Sequence, residues 1–433
     1  MISRLFCLLL IVTSAGIAQS PVAVINRPAP NEAALRKQSF DKVWNTVNEN
    51  HFDPTFGGVD WNKVRTRFEP IAMKAASNND FHAVLRKMLA ELKLSHFSVF
   101  PDRNGLPDDE ERTGVTGIDL IMIDGVPVIK RVEPSSSALA GGVKAGFIVE
   151  RIGGETVSKI LEPLEKYLAA TPMTNQLKRM YRERALVATF DGDPGTTAKL
   201  ELLNGQDRSQ VFLIERKRVK SEMSKAIGNF PPQEVLFESR LLPNNIGYIR
   251  FNMWLIPQMP KIRKAISLYK DSKGLIIDLR GNPGGIGGMA GGVAGHLVKR
   301  RTSLGTMNGR SSKMEFIAYP QDNAFTGPLV LLTDHGSGST SEVFAAGLQE
   351  VGRAKIVGDT TAGAVLPSVF DKLPTGAIFQ YAISDYRSPK KVLIEGHGVA
   401  PDVKVLLTRA QLLHGRDSQL DAAIKFILHR SIR

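Results

Sequence analysis

Leu329-Val-Leu-Leu-Thr-Asp-His-Gly-Ser-Gly-Ser-Thr-Ser-Glu-Val-Phe344 is the stretch from which the rest of the chain is most readily understood. Its first four residues form a continuous apolar run that ends at Thr333, the pattern of a strand buried on both faces. A Gly/Ser turn follows, and then a helical pattern that runs through Ala346. A serine at such a junction has free backbone N–H groups and the positive end of the helix dipole beside it. Both favour negative charge developing on an attacked carbonyl oxygen. A second junction of the same kind is Asp278-Leu-Arg-Gly-Asn-Pro-Gly-Gly-Ile-Gly-Gly288. Its glycines let the backbone approach a ligand closely, so the two turns together could form an oxyanion hole. Working outward, strand signals occur at 246–251, 274–279 and 354–358, and helical signals at 257–270 and 288–299. Apolar strands alternating with helices imply a sheet covered on both faces. We expect an α/β domain over residues 235–410, followed by a C-terminal segment, 411–433, with an amphipathic helix from Ser418 to Leu428.

A serine nucleophile needs a base, most often histidine. Of the 8 histidines, His51 and His82 lie on predicted helices, His414 and His429 in the polar tail, and His296 in an apolar helix. His96 follows Ser95 after a helical stretch, His335 is on the serine turn, and His397 sits in Glu395-Gly-His-Gly398. Spacing does not choose among these last three, nor among Ser337, Ser339 and Ser341. The chain has no G-x-S-x-G elbow, H-E-x-x-H or Walker loop, which removes support for the commoner hydrolase, metalloprotease and NTPase schemes. Gly285-Ile-Gly-Gly-Met-Ala290 fits a loose dinucleotide pattern. No acid follows at the distance needed to hold a ribose, the first being Glu315.

Upstream, Phe40, Val43, Trp44 and Val47 recur at helical spacing, as do Phe81, Val84, Leu85, Met88, Leu89 and Leu92. The pattern turns to alternation at Lys93-Leu-Ser-His-Phe-Ser-Val-Phe100. Residues 31–105 therefore read as a helical N-terminal domain ending in a strand or loop that carries Ser95 and His96. The charged stretch from Asp102 to Arg112 reads as a linker. Over 110–220 there are short β-like runs at 117–121, 126–132, 146–152 and 198–203, with one short helix among them. Gly114-Val-Thr-Gly-Ile-Asp-Leu120, the helix running into Gly-Val-Lys-Ala-Gly146, and Ile148-Val-Glu-Arg-Ile-Gly-Gly-Glu155 resemble a PDZ domain. That resemblance implies peptide-tail binding by strand addition, with Gly117, Ile118, Asp119 and Leu120 as the tail-binding segment.

Ser339-Thr-Ser-Glu342, with the Ala-Ala-Gly-Leu-Gln-Glu-Val-Gly-Arg-Ala-Lys-Ile-Val-Gly-Asp-Thr-Thr-Ala-Gly363 that follows, resembles the core of the C-terminal processing (tail-specific) serine peptidases. Asp278-Leu-Arg-Gly-Asn-Pro-Gly-Gly285 is similar to their oxyanion turn and Gly398-Val-Ala-Pro-Asp402 to their closing segment. The Ser-Lys branch of that family carries its lysine in a Phe-Gly-Lys-Gly motif. Here the aligned residues are Ala362-Gly-Ala-Val365, and Lys355 and Lys372 lie at the wrong spacing. The tricorn-core branch instead has a Ser-His pair before the PDZ domain and a glutamate near the closing segment, positions matched by Ser95-His96 and Glu395. The resemblance thus implies Ser339 as nucleophile and His96 as general base, with Ser95 and Glu395 holding the imidazole. It also implies an oxyanion hole from the N–H groups of Gly285 and Thr340, and no metal or organic cofactor. The fold it implies is a multidomain α+β chain: a helical N-terminal domain, a PDZ-like β domain and a crotonase-like α/β spiral. A member of the same fold that only binds peptides or apolar ligands, or a scaffold driven by its PDZ-like domain, is the alternative.

Composition bounds the partners. The 433 residues, 42% hydrophobic and 23% charged, describe a globular protein long enough for about three domains. The net charge of +13 is spread along the chain. Its densest run, Glu215-Arg-Lys-Arg-Val-Lys220, has no aromatic residue to stack on a base, which argues against nucleic acid. Arg4, the apolar run Leu5–Val12 and small residues up to Ala18 read as a signal peptide over residues 1–20. No segment is long enough for a stable membrane span. The single cysteine, Cys7, falls within that signal. We therefore expect an exported, cysteine-free mature protein, periplasmic or secreted, acting on protein or peptide substrates.

Overall fold

A computed structural model describes residues 30–100 and 114–430. The expected signal peptide and the charged linker, Asp102 to Arg112, lie outside the described residues. The chain is a mixed α+β molecule with several sheets and several cores.

The six-stranded sheet at its centre runs in the order Phe237–Leu242, Ile246–Phe251, Gly274–Asp278, Leu329–Thr333, Lys355–Gly358, Val403–Lys404. The first pair is antiparallel and the rest are parallel. Side chains alternate across it, as the period of two requires. Leu275, Ile277, Leu329, Leu331 and Ile356 face one core, shared with helices Gln258–Leu268, Gly288–Gly295 and Thr340–Glu350. Ile276, Val330, Leu332 and Val357 face the other, closed by Ala423 and Ile427 of helix Ser418–Arg430. Burial of each large aliphatic side chain contributes roughly 1.5–3 kcal/mol, so the C-terminal helix is integral to this sheet. Gly274 permits its close approach: a Cβ there would stand 2.4 Å from Ile427 Cγ2.

Helices Pro30–Asn50, Trp61–Met73 and Asn78–Ala90 form the N-terminal region. Asp60 and Ser77 cap the second and third by accepting the N–H groups of Lys63 and Asp80. Their buried Phe40, Trp61, Phe81, Leu85 and Leu89 pack with Leu366, Leu373 and Phe379 from far along the chain. Strand Ser98–Phe100 pairs antiparallel with Ile378–Ala382, which pairs in turn with Ser368–Lys372. This pairing carries the Ser95-His96 loop to residues some 270–300 positions away.

A second antiparallel sheet has the order Ile118–Ile123, Val126–Val132, Ile148–Ile152, Thr197–Leu203, Ser209–Glu215. Asp124-Gly125, both at positive φ, make its first hairpin turn. Two helices inside this region, Val157–Ala170 and Asn175–Phe190, have no counterpart in the sequence reading. Threonines 156 and 174 cap them. The first helix buries Leu161, Leu164 and Leu168, but the second buries only Leu186 and Phe190, too few to give a clear helical period. Among the described residues, no helix is long and apolar enough to cross a membrane.

Candidate active site

Ser339 stands where strand Leu329–Thr333 has turned toward helix Thr340–Glu350, with φ 53° and ψ −118°. A non-glycine residue held there is strained and needs its surroundings to fix it. Those surroundings are specific. Its N–H donates to Ala364 O at 2.8 Å and to Glu342 Oε2 at 3.1 Å. Gly338 N–H donates to Asn282 O at 3.0 Å. The two neighbouring serines are fully buried and engaged. Ser337 Oγ donates to Leu279 O, while Ser341 Oγ donates to Asn282 O and accepts from Trp254 Nε1. Of the three, Ser339 lines a cleft of about 770 Å³.

The glycine turn lies directly against it. Gly284 has φ 105°, and a Cβ there would fall 2.5 Å from Ser339 Cβ. Gly285 has φ 137°, and its Cβ would meet Trp254 O at 2.4 Å. Thr340 Oγ1 donates to Gly285 O at 2.9 Å, fastening the two turns together. Among the described residues, neither Gly285 N–H nor Thr340 N–H has a backbone acceptor, and both residues line the cleft.

His96 lines the same cleft, in the loop before strand Ser98–Phe100, with φ 60°. Its Nδ1 is 2.6 Å from Ser95 Oγ, which donates to Glu395 Oε2 at 3.0 Å. Ser95 N–H donates to Glu395 Oε1 at 2.7 Å and Val365 N–H to Oε2 at 2.9 Å. Three donors on one carboxyl group mark the carboxylate, although burial pushes its pKa up. Because the Ser95 hydroxyl has one proton and gives it to Glu395, Nδ1–H of His96 must donate to Ser95 Oγ. That leaves the lone pair on Nε2. Burial depresses the imidazole pKa to about 4, so it is neutral at pH 7. The hydrogen bonds among the described residues include none between His96 and Ser339.

The other candidate histidines are elsewhere. His335 is buried with Nε2 2.6 Å from Glu183 Oε2, at the contact with the second sheet's helices. His397 is exposed, its Nδ1 2.9 Å from Glu395 O. Lys355 pairs with Asp402 at 2.7 Å, and neither it nor Lys372 lines the cleft. Gly117, Ile118 and Leu120 are buried, and Asp119 is half-buried. Their strand is an edge of its sheet, so its outward N–H groups have no strand partner, but Met122 N–H there donates to Glu183 Oε1 at 2.7 Å. Among the described residues, no group of three or more His, Cys, Asp or Glu could hold a metal ion.

By its place in the first helical turn, Glu342 reads from sequence as a residue that suits the helix dipole. The structure gives it more. Fully buried, it accepts from Thr361 Oγ1 (2.5 Å), Gly363 N (2.7 Å), Ala364 N (2.9 Å) and Ser339 N (3.1 Å). Burial raises its pKa to about 7. It pins the 361–364 segment beneath the serine. The Ser339-x-x-Glu342 spacing was the available signal.

Comparison with known proteins places these observations among relatives. Residues 245–405 match peptidase family S41, and residues 33–90 match the tricorn protease C1 domain. The chain is 24% identical to a carboxyl-terminal-processing protease of Synechocystis sp., over 93% of this chain and 89% of that one. It is 26% identical to tricorn protease homolog 1 of Streptomyces coelicolor, over 93% of this chain and 36% of that protein. The chain thus spans about a third of the length of the tricorn homologues it matches. In fold it is similar to the photosystem II D1 C-terminal processing protease, with a TM-score of 0.54, 20% identity, and coverage of 86% of this chain and 92% of that one. It is likewise similar to the tricorn protease, with a TM-score of 0.53, 18% identity, and coverage of 94% and 37%.

Proposed function

We propose that this chain, a member of peptidase family S41 and hence a serine-type peptidase, is exported and cleaves proteins or peptides through an acyl-enzyme at Ser339. The observation that carries the reading is the Glu395–Ser95–His96 chain of hydrogen bonds, which ends at an unprotonated Nε2 in the cleft that Ser339 lines. On this reading, Ser339 Oγ attacks the scissile carbonyl carbon as its proton passes to His96 Nε2. The pair must first close to hydrogen-bond distance, as catalytic groups that stand apart in a free enzyme do when substrate binds. The carbonyl oxygen becomes an oxyanion facing the N–H groups of Gly285 and Thr340. The tetrahedral intermediate then collapses, the C–N bond breaks, and His96 gives its proton to the leaving amine. Water, deprotonated by the same histidine, hydrolyses the ester. Glu395, through Ser95, stabilises the imidazolium formed in each half.

The second sheet, read as PDZ-like, would offer the Gly117–Leu120 edge to a substrate tail. The central sheet with its helices corresponds to the crotonase-like spiral. Export rests on the N-terminal signal pattern and places the protein in the periplasm or outside the cell.

A fluorophosphonate probe tests the mechanism on the signal-free protein and on its Ser339→Ala and His96→Ala variants. Labelling that either change reduces at least 100-fold is the expected result. Labelling that survives Ser339→Ala moves the nucleophile, and absence of labelling in folded wild type favours the peptide- or apolar-ligand-binding alternative.

A further inference from the structure

Among the described residues three cations line the cleft, Arg86, Lys93 and Arg184, and the first two have no part in its chemistry. Arg86, on helix Asn78–Ala90, lines the wall beside the Ser95-His96 loop, and Lys93 lies two residues before Ser95. Arg86 Nη1 donates to Val99 O at 3.0 Å, its one hydrogen bond among the described residues. Neither Arg86 nor Lys93 has a carboxylate within ion-pair distance among the described residues, whereas many surface cations of this protein do. The two acids of the cleft are taken: Glu395 by three donors, and Glu315 by Arg301 at 3.1 Å. Close to Arg86 and on the same cleft wall is Tyr167, whose helix Val157–Ala170 belongs to the second sheet's region, with Thr171 just beyond it. Burial disfavours the guanidinium charge, in accord with a cation withdrawn from water without a counter-ion among the described residues.

We infer that Arg86 is a carboxylate anchor for the substrate, holding an anionic group of the bound peptide against the wall formed by Tyr167 and Thr171. The planar fork of a guanidinium matches a carboxylate bidentately. An attraction of this kind strengthens in a cleft that substrate empties of water. Most of the remaining lining is apolar, including Met253, Met307, Phe316 and Phe370, and gives little grip on the register of a bound chain. A single charged contact supplies that register. The anchor rests on the peptidase reading for its purpose but not for its detection. The bound carboxylate is either an Asp or Glu side chain of the substrate or its chain terminus.

The test measures binding to the Ser339→Ala protein, so that no probe is consumed. Four fluorescein-labelled octapeptides of alanine and valine are used, with a central glutamate or glutamine, each as the free acid and as the C-terminal amide. We expect a carboxylate-bearing peptide to bind at least ~10-fold more tightly than its neutral counterpart, the size of one charge-assisted hydrogen bond. Adding Arg86→Gln should bring that ratio to about 1, and Arg86→Lys should restore part of it. A preference that follows the central residue assigns the site to an acidic side chain; one that follows the terminus assigns it to the tail. Equal binding of all four peptides overturns the inference. So does a ratio that survives Arg86→Gln, or a uniform loss of affinity, which would mark the Val99 contact as purely structural. If the fluorophosphonate probe fails to label wild type while the peptide ratio holds, the peptidase reading falls and the anchor stands.

Discussion

In the proposed mechanism His96 brings together two opposing requirements. As a base it must be unprotonated, and burial secures this by depressing its pKa to about 4. As the site where a proton arrives it needs the cation stabilised, and the Ser95–Glu395 relay supplies this. A histidine with a lowered pKa is neutral above that value, so the acid limb of kcat/KM should lie below pH 5.5, not near the ordinary 6.5. Glu395→Gln removes the negative charge that favours the imidazolium. That change should move the limb further toward acid and lower kcat about 10- to 100-fold. A pH–rate profile of both proteins on one peptide substrate checks this, and an acid limb near 6.5 in wild type would contradict it. The identities of Ser339, His96 and Glu395 were legible in the chain as types of residue at recognisable junctions. Spacing did not choose His96 over His335 and His397, because that depends on which imidazole reaches the cleft; only the family resemblance singled it out.

At the scale of elements, helix Thr340–Glu350 carries the serine, and Glu342 ties the helix's first turn to the 361–364 segment. A carboxyl group lifted to about 7 in the fold, from an ordinary value of 4.5, binds its proton more tightly when folded. Below pH 4.5 it is protonated in both states and imposes no cost. Above pH 7 it is ionised in both, and the fold carries a penalty of about 3 kcal/mol. Glu342→Gln abolishes this titration. The stability advantage of wild type over the variant should therefore shrink as pH rises from 4.5 to 8, read as the difference in Tm. Activity of the variant should fall at least 10-fold at every pH, because an amide cannot accept all four donors. A Tm difference that does not change with pH would show that the carboxyl group is ionised throughout. The central strands and the helices that flank them were visible from their periodicity, whereas helix Val157–Ala170 went unread. Helix Asn175–Phe190 went unread too, since its few buried positions hide the period.

At the scale of the molecule, the second sheet and its helices are fastened to the serine loop itself. Lys130 reaches Asp334 at 3.4 Å, Arg179 reaches Asp359 at 3.4 Å, and Glu183 bridges His335 to the N–H of Met122. From the other side, Arg409 donates to Gly146 O and Asn204 O. Glu183 is the key member of this contact: removing it leaves buried His335 Nε2 and an edge N–H without partners. Each such orphan costs about 1–3 kcal/mol. Glu183→Ala should lower Tm by several degrees and slow fluorophosphonate labelling of Ser339, because it loosens the loop four residues upstream. Unchanged labelling would show that the two regions act independently.

Local rules determined much of this protein from the sequence alone. Short apolar runs became the buried strands of a sheet covered on both faces, because successive side chains of a strand point to opposite faces and both sets here need burial. Strand-to-helix turns rich in glycine and serine became the junctions that face the cleft, because helix N-termini leave N–H groups unsatisfied. Tertiary structure alone decided what meets at those junctions. The pairing of Ser98–Phe100 with Ile378–Ala382 brings His96 into the cleft that Ser339 lines, and the Ser95–Glu395 bonds join residues 300 positions apart. The burial of Glu342 and the place of Arg86 in the cleft wall, with no carboxylate partner among the described residues, depend equally on what folds over them. No periodicity records such contacts, since proximity between distant segments arises from packing of the whole chain and not from the spacing of neighbours.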